Sequence, residues 1–234
     1  MVLYRERSMR VAPDWLPDDT EESVVGTEWH QEAIGQLADM LRDAADRRGS
    51  PWGVCEQIEL GGLQRRDGTV YAPKPDVMVL PQPLAGHRAR IHLNEAGTPL
   101  FVAEVASSST VRGDREGKRE AYAGVGIPEY LIFDPAGHML DAPIEAWRLP
   151  DPAATAYVAW VPERDGWWYS RSLDLAFRPD QPLIAVRDRD GALIETSSRA
   201  RRTLRMVQGE LRAERAARAS LEEQLRTLHE QLGG

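Results

Sequence analysis

The sequence predicts a mixed α/β domain, because segments with strand character and segments with helical spacing alternate along most of the chain. An amphipathic helix comes first, two strands follow, and a second helix connects two apolar strands. With 234 residues, of which 42% are hydrophobic, the chain can bury one sizeable core. We therefore expect one globular domain at residues 25–196, an N-terminal arm at residues 1–24 and a C-terminal extension at residues 197–234.

The arm and the first helix differ clearly in pattern. The arm is polar and interrupted by prolines, with an acidic patch in "PDDTEE". In "TEWHQEAIGQLADMLRDAADRRGS" the apolar residues recur at helical spacing, which predicts a helix. Thr27 is the expected N-cap of this helix, and Gly49 follows its expected end.

Strand signals follow the first helix. "PWGVCEQIEL" and "VYAPKPDVMVL" are predicted strands, with a glycine-bounded turn between them. Residues 81–98 have the composition of a loop with one short strand. "PLFVAEVAS" is apolar on both faces, which is typical of a central strand. A helix from about Arg112 to Ala123 and an apolar strand in "GVGIPEYLIFDP" complete the mixed α/β part.

The last third of the chain changes character twice. Short strands in "IEAWRL", "TAYVAWV" and "WWYSRSL" predict a meander that extends or covers the sheet. Residues 199–232 lack proline and place apolar residues at alternating heptad positions, which predicts a long helix. This helix either forms a coiled coil with a second copy, giving a homodimer, or packs on its own subunit.

The overall charge and the cysteine content limit the possible partners. The formal charge is -8, from 37 acidic and 29 basic residues, so the average charge does not attract nucleic acid. No apolar stretch approaches the length of about 18 residues that a membrane helix needs. Cys55 is the single cysteine and can form neither an internal disulfide nor a thiolate zinc site. We expect a cytoplasmic protein with no membrane partner.

Glu104 is the most unusual residue in this pattern, since it lies in the middle of an apolar strand. An unpaired buried carboxylate is costly or takes up a proton, so such a residue normally has a cation, a metal or a function. Asp76 opens the apolar run "DVMVL" in the same way. Two carboxylates on neighbouring strands suit a hard divalent cation such as Mg²⁺. The alternatives are a turn-forming role for Asp76 and an ion pair with an arginine for Glu104.

Lys118 is the expected cation of this site. Only two of the 29 basic residues are lysines, Lys74 and Lys118, and lysine supplies a compact ammonium whose pKa can be shifted. Asp114, Lys118 and Tyr122 are four residues apart and share one stripe of the second helix. This helix follows the Glu104 strand through a short link, so the lysine can fold back towards the carboxylates. The alternative is a surface ion pair with an aromatic anchor.

Three segments carry a family resemblance: "VVGTEWHQEAIGQL", "PKPDVMVL" and "PLFVAEVASSSTVRGDREGKREAYAGVGIPEYLIFDP". They resemble the Uma-two family of restriction-endonuclease-like proteins, which belongs to the PD-(D/E)XK nuclease-like superfamily. The resemblance covers roughly residues 20–190 and rests on the order of the motifs. It implies a restriction-endonuclease-like core, with a central mixed β-sheet flanked by helices.

The resemblance also implies roles for individual residues. Asp76, Glu104 and the backbone carbonyl of Val105 would bind Mg²⁺ or Mn²⁺, and Lys118 would be the catalytic cation. The Glu-x-Lys pattern of the wider superfamily would need lysine at position 106, where this chain has Ala106. The cation must therefore come from the following helix. The residues expected to line the cleft are His30, Lys74, Asp114 and Tyr122.

Two functional hypotheses follow from the sequence. The first is a metal-dependent endonuclease, an endodeoxyribonuclease that hydrolyses phosphodiester bonds in DNA. The alternative is a non-catalytic, nuclease-like binding or regulatory module that oligomerises through its C-terminal helix. The net negative charge favours this alternative, and a fold by itself does not decide between the two.

Overall fold

The computed structural model describes residues 22–195, except Arg66, His87 and Ser109, together with Arg218. Most of the expected arm, residues 1–21, lies outside the described residues. The expected C-terminal helix and its coiled coil, residues 197–234, also lie outside them apart from Arg218. The division of the chain at residues 24 and 196 stays a prediction.

The described residues form three helical segments and fourteen strands. The helices are α1 (Glu22–Arg48), α2 (Leu93–Ala96) and α3, which runs from Val111–Gly113 through a π-helical turn at Asp114–Lys118 into Arg119–Gly124. The strands are β1 (Gly53–Glu56), β2 (Glu59–Gly61), β3 (Leu63–Gln64), β4 (Val70–Tyr71), β5 (Val77–Leu80), β6 (Arg90–His92), β7 (Phe101–Val105), β8 (Glu129–Phe133), β9 (Ile144–Arg148), β10 (Val158–Ala159), β11 (Trp168–Ser170), β12 (Leu175–Asp180), β13 (Leu183–Asp188) and β14 (Leu193–Ile194).

Helix α1 has the expected end but not the expected start. It begins at Glu22, so Thr27 lies inside the helix and the predicted N-cap is wrong. A residue that favours the N-cap position does not fix the start of a helix when the residues before it also take helical angles. The end at Gly49 is confirmed. Gly49 has a φ of 62°, and the N–H groups of Gly49 and Ser50 donate to the carbonyls of Asp46 and Ala45, as in a Schellman motif.

The region between α1 and β7 is more finely divided than its sequence predicts. The expected strand over residues 70–80 is split into β4 and β5, because Pro73 and Pro75 have no backbone N–H to donate. The expected turn contains β3, which pairs with β4 in a hairpin. The loop-like segment contains β6, as expected, and also the short helix α2.

A six-stranded mixed sheet forms the centre of the molecule, as predicted. Its order is β1-β5-β7-β8-β9-β10, and β7 is an internal strand. Strands β7 and β8 are parallel and are joined through α3, whereas the other pairs are antiparallel. In the β5–β7 pair Val77 lies opposite Ala103. This register places Asp76, just before β5, beside Glu104.

The two faces of the central sheet are covered by different elements. Helix α1 and a second, antiparallel sheet of strands β11–β14 cover one face. Helix α3 and the short strands β2, β3 and β6 cover the other. The meander was predicted to extend or to cover the sheet, and it does both: β9 and β10 extend the central sheet and β11–β14 cover it. None of the helices in the described ranges is long and apolar enough to cross a membrane.

Candidate active site

Asp76 and Glu104 lie side by side on the face of the central sheet that α3 covers. The backbone N–H of Asp76 donates to Glu104 Oε2 at 3.2 Å. The N–H of Val105 donates to Asp76 Oδ2 at 2.9 Å. The Asp76 carboxylate thus binds the neighbouring strand, and the turn-forming alternative is wrong. Each acidic residue fixes the other through the backbone of the antiparallel pair.

The Lys118 side chain extends from α3 to the carboxylates of Glu104 and Asp114. Its Nζ lies 2.9 Å from Glu104 Oε2 and 2.8 Å from Asp114 Oδ1. The Lys118 side chain is 15% exposed, and Glu104 and Asp114 are each 1% exposed. The partner of Glu104 is therefore a lysine and not an arginine, and the Asp114–Lys118 pair is buried and not on the surface. The predicted fold-back of the lysine is confirmed.

Helix α3 presents these residues from a π-helical turn at Asp114–Lys118. Such turns are rare and are often found at functional sites. The turn begins and ends with the two residues of the ion pair. Nothing in the spacing of the sequence predicted it, because Asp114, Lys118 and Tyr122 also share a stripe in an ordinary α-helix.

Two buried tyrosines complete the inner wall of the site. The Tyr122 hydroxyl donates to Glu104 Oε1 at 3.0 Å, and the Tyr130 hydroxyl donates to the backbone carbonyl of Asp114 at 3.1 Å. The two rings meet edge to face with centroids 5.1 Å apart. Burial raises the pKa of both phenols well above the usual value, so both hydroxyls remain donors. Sequence reasoning missed Tyr130, whose one signal was a hydroxyl inside the apolar run "YLIF".

His30 brings α1 into the site. Its Nε2 lies 3.0 Å from the carbonyl oxygen of Val105 and 3.6 Å from Asp76 Oδ2. The predicted position of His30 at the cleft agrees with these contacts. Lys74, the other lysine, is exposed on the segment that leads into Asp76.

The electrostatics of the site are dominated by burial. Burial raises the pKa of Glu104, Lys118 opposes this shift, the charges of Asp76 and Asp114 add to it, and the net value is about 8. For Lys118, burial lowers the pKa, but Glu104 and Asp114 together outweigh it and the net shift is upward. The ammonium therefore keeps its proton at neutral pH.

The site has more acidic than basic groups. The carboxylates of Glu104 and Asp114 pair with the ammonium of Lys118, and Asp76 lies beside Glu104 on the neighbouring strand. Oδ2 of Asp114 is buried and has no hydrogen-bond partner among the described residues. Within those same ranges, no group of three or more His, Cys, Asp or Glu side chains is placed to hold a metal ion. Two carboxylates and a carbonyl suit Mg²⁺, which usually keeps water and phosphate as its other ligands.

A known protein family matches the part of the chain that carries the candidate site. A family model named Uma2, with the description "Putative restriction endonuclease", matches residues 18–158. The chain belongs to the Uma2 family. The Uma2 match includes α1, the central sheet and α3, and it ends in β10, so the second sheet lies beyond it. No curated protein matches the chain.

Membership of the Uma2 family supports a nuclease-like hydrolase whose substrate is a nucleic acid. The residues of the candidate site all lie inside the matched range. The resemblance inferred from the sequence motifs is therefore confirmed at the level of the family.

Proposed function

We propose that this Uma2 protein is a metal-dependent endonuclease that hydrolyses phosphodiester bonds in DNA. The observation that carries the proposal is the convergence of Asp76 and Glu104 from adjacent strands, with the Lys118 ammonium 2.9 Å from Glu104. Spontaneous phosphodiester hydrolysis is extremely slow, so an activated water and charge neutralisation are both needed. The side chains of this site can supply both functions when a metal is bound.

The metal ligands would be the carboxylates of Asp76 and Glu104 and the backbone carbonyl of Val105. Bound Mg²⁺ or Mn²⁺ would supply a water of lowered pKa and would neutralise phosphate charge. Glu104 must be ionised to act as a ligand, and its raised pKa means that metal binding displaces a proton near neutral pH.

Lys118 would stabilise charge and would not act as a base. Its raised pKa keeps it protonated, so it can neutralise negative charge that develops on the phosphate. Asp114 and Glu104 hold the ammonium from two sides. Tyr122 donates to the other oxygen of Glu104 and thereby fixes the orientation of that carboxylate.

The test is nicking of supercoiled plasmid DNA in the presence of Mn²⁺. The wild-type chain should convert the plasmid to open circles, and Asp76→Ala and Glu104→Ala should each reduce the rate at least about a hundredfold. Circular dichroism spectra establish that both variants are folded. Equal rates for all three proteins would exclude this site as the source of the activity, and a parallel assay with RNA decides between the two nucleic acids.

A second candidate function is a non-catalytic, nuclease-like module for binding or regulation. The net charge of -8 favours it, and so does the Glu104 carboxylate, which already has Lys118, Tyr122 and the Asp76 N–H as partners. Titration calorimetry with Mg²⁺ and Mn²⁺ separates the two functions. Binding heat that disappears in Asp76→Ala supports the endonuclease, whereas no heat at millimolar metal supports the module.

Two further parts of the proposal concern the whole chain. We expect the segment 197–234 to form a coiled coil that makes the protein a homodimer, and we expect the protein to act in the cytoplasm. Light scattering of the full chain and of a chain ending at residue 198 tests the first expectation. An unchanged mass would exclude a dimer through this segment.

A further inference from the structure

A groove of about 480 Å³ lies beside the candidate site, between the β3–β4 hairpin and α3. Arg65 and Tyr71 line it from the hairpin side. Arg112, Gly113 and Gly117 line it from the helix side. Tyr71 packs against the cluster that contains Tyr122, whose hydroxyl donates to Glu104, so the groove adjoins the candidate site.

Two glycines on the helix wall have no explanation within the protein's own packing. Gly113 and Gly117 both lie in helical backbone, where glycine is less favourable than alanine. A Cβ atom added at either position would meet no atom within 4 Å, and neither residue has a positive φ. The missing side chains therefore leave room for something outside the chain to approach the helix closely.

The hairpin wall offers a flat surface at the same groove. The guanidinium carbon of Arg65 lies 4.5 Å from the centroid of the Tyr71 ring. Arg65 is exposed, whereas Tyr71 is half-buried against the cluster that contains Tyr122. Unpaired bases stack on aromatic rings and on guanidinium planes in this way. The pair can thus support the face of one base.

The charges in the groove decide which part of a nucleic acid fits it. Asp67, Glu116 and Glu120 also line the groove, and Glu116 lies 3.7 Å from the guanidinium of Arg112. A continuous run of phosphates would meet these carboxylates and be repelled. A base is neutral, and carboxylates accept hydrogen bonds from its exocyclic amino groups. The mixed lining favours a base over the sugar-phosphate chain.

We propose that the groove between the β3–β4 hairpin and α3 binds one unpaired base of the nucleic acid, next to the phosphate that is cleaved. The base stacks on Arg65 above Tyr71, and its edge lies along Gly113 and Gly117. The nucleic-acid nature of the ligand rests on the proposed function. A base inside an intact duplex cannot reach such a surface without leaving the stack.

The first experiment measures binding of a fluorescein-labelled, single-stranded DNA oligonucleotide by anisotropy, in EDTA so that no cleavage occurs. Gly117→Leu fills the groove from the helix, and Arg65→Ala removes the stacking surface. Each should weaken binding about tenfold, the effect of losing about one stacked base. The matched control is Gly124→Leu, which also lies in α3 and also has open space for a side chain, but does not line the groove.

The outcomes separate this inference from its alternatives. Gly124→Leu should bind as the wild type does, and thermal melting should show all three variants folded. Wild-type affinity in folded Gly117→Leu would overturn the inference, and so would a loss of binding shared equally by Gly124→Leu.

An oligonucleotide with abasic positions tests whether the groove holds a base. This oligonucleotide keeps every phosphate, so a groove that holds the backbone would bind it as well as the intact one. We expect wild-type affinity to fall about tenfold and the affinity of Gly117→Leu to be nearly unaffected. Equal wild-type affinity for both oligonucleotides would overturn the inference. A chain that passes this test but does not nick plasmid DNA would contradict the endonuclease proposal and leave the base-binding groove in place.

Discussion

The two faces of the central sheet bury different kinds of side chains, although the same strands form both. On the α1 face of β7, the buried side chains are those of Phe101, Ala103 and Val105, and Phe101 stacks on Phe177 of the second sheet at 5.1 Å. On the α3 face, Val102 is followed by Glu104. The first face is an apolar core with one buried glutamate, Glu129, whereas the second combines an apolar core with a buried cluster of charges.

The two buried glutamates of the central sheet, Glu129 and Glu104, have different kinds of partners. Glu129 is 2% exposed, and its carboxylate accepts hydrogen bonds from the Ser170 and Ser172 hydroxyls and from the backbone N–H of Arg171. These neutral donors tie β8 to the second sheet. Glu104 is instead held by an ammonium and lies beside two further carboxylates. Glu129 therefore holds the central sheet to the second sheet, whereas Glu104 lies among more negative than positive groups.

The largest effect on stability should come from the apolar face. Phe101→Ala removes a fully buried ring from its stack with Phe177 and should lower the free energy of unfolding by about 3–5 kcal/mol. Urea unfolding followed by circular dichroism measures the change. A loss below about 1 kcal/mol would mean that the core relaxes around the cavity, and that the two faces differ less than proposed.

Lys118→Ala should produce the largest effect on function. Removal of the ammonium should reduce Mn²⁺-dependent nicking by about 10²–10³-fold, the usual effect of losing one charge-stabilising donor. Arg187→Ala is the control, because Arg187 lies in β13 of the second sheet and pairs with Asp165 there. If the two variants nick DNA equally fast, Lys118 has only a structural role.

The α3 face should also make stability depend on pH. The folded-state pKa of Glu104 is raised from 4.5 to about 8, so between these values the folded chain binds more protons than the unfolded chain. Stability without metal should therefore fall as pH rises through this window, by at most about 1.4 kcal/mol per pH unit for this one proton. Urea unfolding in EDTA at pH 6 and pH 8 measures the fall.

Glu104→Gln provides the control for the pH experiment, since the amide cannot ionise. The variant should lose less stability than the wild type between the two pH values. Identical pH dependence in the two proteins would mean that the burial of Glu104 is fully offset by Lys118.

Added Mg²⁺ should stabilise the wild type more at pH 8 than at pH 6, because binding requires the ionised carboxylate.

The smallest effect is expected at the outer edge of the α3 face. Gly117→Ala replaces a helical glycine where a methyl group meets no atom within 4 Å. The variant should be about 0.5–1 kcal/mol more stable than the wild type. Thermal melting measures the gain. A destabilised variant would indicate that the π-helical turn itself requires glycine.

Local patterns in the sequence were sufficient for much of the fold. The central strand β7, the helix after it and the C-cap at Gly49 were all predicted, because their signals lie within a few neighbouring residues. The start of α1 and the split of the strand over residues 70–80 were not predicted correctly. At the start of α1, helical angles in the preceding residues outweighed the capping preference of Thr27. In the strand, Pro73 and Pro75 interrupted a run with strand character.

The candidate site was also predictable in part. An acidic residue inside an apolar strand is conspicuous in any sequence, so Glu104 and Asp76 could be identified without a structure. Tyr130, Arg65 and Tyr71 could not. A tyrosine in a strand and an arginine in a hairpin are ordinary residues, and their proximity to α3 arises from contacts between elements distant in the sequence.

The sequence by itself determined the alternation of elements, the two acidic residues and the lysine in the following helix, because residue types and spacings are local properties. The tertiary structure decided that Asp76 and Glu104 share one face, that the Lys118 ammonium pairs with both Glu104 and Asp114, and that the hairpin and α3 enclose a groove. Strand register and the packing of distant elements set these distances. Burial then changes the pKa of each group, and no spacing along the chain encodes that.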